Sequence, residues 1–192
     1  MSLYALTPFA LDRNLGGAYN EAMALLPDDG WAILTDHDAL WTTREWYRQI
    51  SEAVAFQPRA MFFAMCNRIA APWQRIGPAD IHDMAVHRAF GKERLQTRTL
   101  LDITHTKGAG GVVMVVSKAA WREVGGFVDG MFCVDHNMHF AHADVGRPVY
   151  LIEGLYLYHW RRAHGDTLVE EPKAPCRCRG YEPPPTERLL IP

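Results

Sequence analysis

The densest chemistry in the sequence is Asp36-His37-Asp38, which follows directly on the apolar run Trp31-Ala32-Ile33-Leu34 and Thr35. Side chains alternate along an extended backbone, so Asp36 and Asp38 are expected on one side and His37 on the other. Two carboxylates on one side repel each other unless something positive lies between them. A hard divalent cation, Mg²⁺ or Mn²⁺, takes oxygen ligands and answers that need. A solvated polar turn that closes a strand is the plainer reading of the same residues.

Three further stretches carry reactive groups. Gly108–Gly111 and Gly125-Gly126-Phe127 read as turns, with an approach to a ligand as the alternative. Val134 to His142 holds Asp135, His136, His139 and His142. Each step of three residues on a helix turns about 300°, so His136 and His142 diverge by about 120° and do not share one zinc ion. Asp135 reads as a helix N-cap, or as a general base if it faces a cleft. His159 closes the apolar run Leu155 to Tyr158 ahead of Trp160-Arg161-Arg162, as a structural histidine or as a ligand. Cys66, Cys133, Cys176 and Cys178 follow no zinc-ribbon or disulfide spacing. Cys176 and Cys178 read as an unpaired pair in a tail, with a metal or redox pair as the alternative.

These groups need elements to position them. The chain of 192 residues is 48% hydrophobic and 22% charged, which suits one domain with a sizeable core. A net charge of −2 gives no general attraction to nucleic acid or to an acidic membrane. With no apolar run of membrane-spanning length and no basic-then-apolar start, a cytoplasmic protein of a bacterium or a virus-infected cell is expected. Strands are expected at 2–8, 31–35, 61–66, 112–116 and, near the end, at 148–152 and 155–159. A helix capped by Asn14 should run through residue 26 with Ala18, Ala22, Leu25 and Leu26 on one face. Thr42 and Glu45 spell a capping box for a helix carrying Trp46, Ile50 and Val54. Further helices are expected around Ile81, Met84 and Ala85, over 118–124, and from Asp135 to before Gly146 and Pro148. The stretch Arg88 to Arg98 is locally basic: a solvated face, a clamp for a diphosphate, or a groove for an anionic acceptor. Beyond about Gly165 periodicity is lost. The expected organisation is a compact domain over 1–165 and a Pro-rich irregular tail over 166–192, in an α/β class with alternating strands and helices.

The order of these motifs over residues 14–159 resembles the GT-A glycosyltransferases, particularly their inverting family-2 group. Asn14-Leu-Gly16 with Asn20 is similar to that family's N-x-G…N element ahead of the Asp-x-Asp. Residues 116–130 are similar to its segment ending G-G-F-D, with Val128-Asp129 in place of the direct Asp. Asp135 stands where the family has the second acid of a Glu-Asp pair, although Val134 replaces the first. The resemblance implies a GT-A-like, Rossmann-like single layered domain with a mixed central sheet. It implies a transferase that moves a sugar from a nucleotide-diphosphate donor to an acceptor hydroxyl, with inversion. Asp36, Asp38 and His159 would hold Mn²⁺ or Mg²⁺, and Asp135 would be the catalytic base. Pro8, Arg13, Asn14, Asn20 and Asp36 would meet the donor, and Gly110, Gly111 and Trp160 the acceptor, a glycan or a modified nucleobase. The Asp-x-Asp arrives several dozen residues early, so the nucleotide-binding half is expected to shrink to one strand and one helix. A nucleotidyltransferase, a nucleotide-sugar hydrolase and a non-catalytic nucleotide-sugar-binding module are the rival readings.

Overall fold

The computed structural model describes residues 2–160 and 187–192. Its strands are β1 (Ser2–Leu6), β2 (Gly30–Thr35), β3 (Ala39–Trp41), β4 (Met61–Cys66), β5 (Thr99–Asp102), β6 (Val113–Ser117), β7 (Val149–His159) and β8 (Arg188–Leu190). The helices are α1 (Leu15–Leu25), α2 (Trp46–Phe56), α3 (Met84–Arg94), α4 (Lys118–Glu123) and α5 (Val134–Asp144). One mixed sheet of eight strands runs β1-β2-β6-β4-β7-β5-β8, with β3 paired to the end of β7. The β1/β2 and β4/β7 pairs are parallel, and the other pairs antiparallel. The fold is α/β. Among the described residues, no helix is long and apolar enough to cross a membrane.

Strands β2, β4 and β6 are buried throughout, which is why they read as unbroken apolar runs rather than alternating ones. Alternation still sorts their side chains between two cores. Ala32, Leu34, Phe63, Met65, Met114 and Val116 meet Tyr19 and Met23 of α1 and Val134 and Met138 of α5 on one face. Trp31, Ile33, Phe62, Ala64, Val113 and Val115 meet Ile50, Ala53 and Val54 of α2 on the other.

Several expectations need correction. α1 starts at its Asn14 cap as expected, but its buried face is Gly16, Tyr19 and Met23, and Leu25 is exposed. The Thr42–Glu45 capping box does not form. Glu45 caps α2 without a side-chain bond, and the Thr42 hydroxyl donates instead to the Tyr156 carbonyl at 2.5 Å. The two runs near the end are one strand, β7, whose register jumps from Ala64↔Ile152 to Met65↔Tyr156 across an irregularity. Gly154 lies in it, and a Cβ there would come 2.1 Å from the Thr97 carbonyl oxygen. Asp135 does not open α5, which starts at Val134 after Cys133 in a left-handed conformation (φ 66°). Arg161, Arg162, Cys176 and Cys178 and most of the expected tail lie outside the described residues. At its far end Arg188–Leu190 forms a strand on β5.

Candidate metal centre

The polypeptide turns sharply as it leaves β2. The Asp36 N–H donates to the Val112 carbonyl (3.1 Å), and the Ala39 N–H returns to the Asp36 carbonyl (3.2 Å). The chain then runs back as β3 beside the end of β7, with Ala39 opposite His159. The Trp160 N–H closes the corner on the Asp38 carbonyl at 2.9 Å. A tight turn, rather than strand alternation, therefore gathers the two carboxylates, and it sets them against a third side chain. His159 Nε2 lies 3.2 Å from Asp38 Oδ1 and 3.8 Å from Asp36 Oδ2. Ligand atoms of the three residues all lie within 4.8 Å of one another, the group of this kind among the described residues. His37 points to solvent, edge-on to Phe9 at 6.5 Å.

The imidazole is oriented from behind. His159 Nδ1 lies 2.8 Å from the Arg68 carbonyl oxygen, which only accepts, so Nδ1 carries the hydrogen. The His159 N–H donates to Asn67 Oδ1 at 2.7 Å. In the neutral ring Nε2 then presents a lone pair to a carboxylate 3.2 Å away. Two acceptors at that distance need a cation between them, either a proton or a metal ion. Metal-binding histidines are commonly fixed in this way, by giving the other ring N–H to a carbonyl. The two separations from His159 Nε2, 3.2 and 3.8 Å, also fit. Donors around a cation at about 2.1 Å stand about 3 Å apart when adjacent and about 4.2 Å when opposite. A set of two carboxylates and one imidazole suits Mn²⁺, with Mg²⁺ an acceptable occupant.

The carboxylates differ electrostatically. Burial, reinforced by the charges of Asp38 and Asp135 and opposed by His159 and His37, pushes Asp36 up to about 6. Burial also works to raise Asp38, but the hydrogen bond and charge of His159, with His37, outweigh it and hold that carboxyl below its usual range. Asp38 is thus the standing anion. Asp36, raised to about 6, is the carboxyl at which a cation could take the place of a proton near neutral pH.

Asp135 is close enough for its charge to act on Asp36. Its Oδ2 accepts the Gly111 N–H at 2.7 Å and its Oδ1 the His136 N–H at 2.8 Å, and each oxygen keeps a second lone pair. Gly111 is shaped to this contact, since a Cβ there would stand 2.9 Å from the Asp135 Cβ. Gly110 is buried, with its N–H and carbonyl both bonded to Gln74 at 2.9 Å. It shapes the loop, and both its backbone groups are already taken.

The expected donor residues divide. Pro8 follows β1, half-buried, and Arg13 is exposed with φ 61°. Asn14 and Asn20 are spent inside the protein. Asn14 Oδ1 accepts from Gly17 and Gly130, each at 2.9 Å, and its Nδ2 donates to Asp129. Asn20 Oδ1 accepts from Trp121 Nε1 and the Phe127 N–H, each at 2.8 Å, and its Nδ2 donates to the Phe127 carbonyl. The N-x-G…N stretch and residues 126–130 are thus two halves of one joint. Gly16 sits so tightly in it that a Cβ would come 1.8 Å from the Val128 carbonyl oxygen. Trp160 joins the metal corner through its backbone, while its ring packs on His82 at 4.8 Å. Of the basic stretch, Arg94 bonds the Glu153 carbonyl and Arg98 the Ile191 carbonyl, while Arg88 and Lys92 are exposed on α3. Asn67 and Arg68, which hold His159, carry no motif in the sequence and follow an apolar strand. Tyr19 gave no signal either, because helix periodicity placed it off the buried face.

No protein-family model matches the chain, and no curated protein matches it.

Proposed function

We propose that this protein is a metal-dependent glycosyltransferase of GT-A-like fold, moving a sugar from a nucleotide-diphosphate donor to an acceptor hydroxyl with inversion. The observation that carries this reading is the convergence of Asp36, Asp38 and a His159 whose Nδ1–H is committed to a carbonyl. Its position adds support. Asp36 follows the carboxyl end of β2 and Pro8 that of the parallel neighbour β1, where ligands gather in open α/β sheets. A bound Mn²⁺ or Mg²⁺ would neutralise charge on the leaving diphosphate. The remaining work falls to the chain itself. Asp135, held by Gly111 and the start of α5, takes the proton of the acceptor hydroxyl as its oxygen bonds to the anomeric carbon. The bond from that carbon to the diphosphate oxygen breaks on the opposite side. Asn14 and Asn20 act at one remove, by fixing α1 against residues 126–130.

The test is product analysis by mass spectrometry, with a panel of nucleotide sugars and of glycan and nucleobase acceptors, with and without Mn²⁺. Sugar transfer that stops on chelation is the expected result. Free sugar as the sole product with every acceptor would make the protein a hydrolase, and transfer of the nucleotide a nucleotidyltransferase. Binding without turnover would leave a recognition module.

A further inference from the structure

The roll of α1 decides which of its side chains enter the core. With Asn14 and Asn20 pinned to residues 126–130, the helix turns Gly16, Tyr19 and Met23 inward. Tyr19 is 2% exposed, and its ring leans on Phe127 at 5.0 Å. It shares a cluster with Leu34, Met114 and Val134. Leu34 stands two residues before Asp36, Met114 three after Gly111 and Val134 one before Asp135, so Tyr19 belongs to the same apolar cluster as the bases of the segments that carry both acids. Its hydroxyl feels them. Burial first, then the charges of Asp36 and Asp135, keep the phenol protonated far above neutral pH.

The hydroxyl makes no hydrogen bond to any described residue. It is also not among the sealed polar atoms of the core, so it keeps a little accessible surface. Buried tyrosines ordinarily find a partner for the O–H. A phenylalanine would pack the same ring without the unmet donor.

We propose that Tyr19 is a substrate-binding residue of this site, whose phenol O–H donates to an anionic oxygen of the substrate's diphosphate. The proposal rests on the metal-site reading above, since the cation is what brings a diphosphate beside Asp36. Three considerations select that ligand. The donor sits near two carboxylates, so its partner must be an acceptor that tolerates their field, as a cation-bound phosphoryl oxygen does. Anionic oxygens are also the stronger acceptors. A neutral donor binds phosphate without competing with the cation for Asp36 and Asp38, as a lysine or arginine there would.

The experiment compares the parent with Tyr19→Phe in the full chain, by calorimetry with Mn²⁺ alone and then with manganese pyrophosphate, alongside thermal melts. The expected result is unchanged Mn²⁺ affinity, an unchanged or slightly higher melting temperature, and pyrophosphate affinity lower by about tenfold or more. Equal pyrophosphate affinity in the two proteins would overturn the Tyr19 assignment and leave the metal site standing. A lower melting temperature with Mn²⁺ and pyrophosphate weakened together would return Tyr19 to the core, also overturning it. A parent that binds no Mn²⁺ would remove the metal-site reading, and the Tyr19 assignment with it.

Discussion

Two polar constellations of this molecule are built on opposite terms. At the joint between α1 and residues 126–130, the two asparagines make six hydrogen bonds between them, all within the chain. At the corner after β2, two carboxylates and an imidazole nitrogen face one another, and burial pushes one carboxyl up to about 6. The first arrangement is complete in itself. The second would be improved by a cation. Both stretches belong to the same family resemblance, so the resemblance alone does not separate joint from site. Hydrogen-bond satisfaction does, because a buried polar group left without a partner is costly unless a ligand meets it.

The largest effects should come from exchanging alanine into each constellation. Asp38→Ala removes the standing anion and should cost more than about 100-fold in Mn²⁺ affinity, beyond the 10–100-fold typical of outer-shell partners. Its melting temperature without metal should change little. Asn20→Ala should do the reverse. It strands the Trp121 and Phe127 N–H groups and should lose roughly 2 kcal/mol of stability with Mn²⁺ affinity preserved. Calorimetric titration and urea melts on both variants decide the matter. If Asn20→Ala weakens Mn²⁺ while stability holds, the division between joint and site collapses.

Asp135 anchors Gly111 and acts on Asp36. Asp135→Asn keeps one acceptor oxygen of the two now bonded. Donor affinity should persist while transfer slows by about 10²-fold or more, the scale for losing a general base. A variant of reduced stability that turns over at the parent rate would make Asp135 a structural anchor only.

Much of the scaffold was legible in the sequence because β2, β4 and β6 are buried on both faces and so read as continuous apolar runs. The Asn14 cap was legible for a local reason, as its bond to the Gly17 N–H spans three residues. The roll of α1 was not, because bonds reaching from Asn20 to Phe127 and from Asn14 to Gly130 set it, and periodicity sees no such partner. Thr42 misled for the same reason: its hydroxyl went to Tyr156, far along the chain. At the site, Asp36, Asp38 and His159 were visible as residue types. The Asn67 and Arg68 contacts that aim the imidazole were not, because one is made by a backbone carbonyl.

The histidines repeat the contrast inside the core. His139 and His142 are fully buried, and His139 Nδ1 and His142 Nε2 have no partner among the described residues. Burial, opposed in part by hydrogen bonds to backbone carbonyls and aided by the charges of His136 and His142 at His139 and of Arg147 at His142, lowers each ring to about 4. Unfolded, both rings titrate near 6.5. Between those values the unfolded chain binds protons that the folded one refuses, so their contribution to stability is full above about pH 6.5 and is lost as pH falls toward 4. Each ring should account for about 3 kcal/mol across that window. Urea melts of the parent and of His142→Gln at pH 7.5 and 4.5 measure this. The variant should lose less stability on acidification, and equal losses would show that His142 is not part of the acid sensitivity.

The smallest effect is the most diagnostic of the corner after β2. The folded Asp36 carboxyl, at about 6, holds a proton that the unfolded chain has already released above its ordinary 3.8. Stability tied to this group is therefore complete below about pH 4 and lost as pH rises through 6, the reverse of the histidine window. Without a cation, Asp36 then burdens the protein at neutral pH, and Asp36→Asn should lift the burden. About a third of the side chain, 32%, remains open to solvent, which screens the charge and limits the gain to roughly 1 kcal/mol. Chelated samples at pH 7.5 should show the variant more stable than the parent, and at pH 4 the two should coincide. Added Mn²⁺ should then stabilise the parent by mass action and leave the variant nearly unmoved. A stability gained by removing a carboxylate and regained in the parent by adding a cation is the signature of a ligand. Two proteins that melt alike at pH 7.5 and respond alike to Mn²⁺ would make Asp36 a solvated turn residue, and the contrast with the satisfied asparagines would vanish.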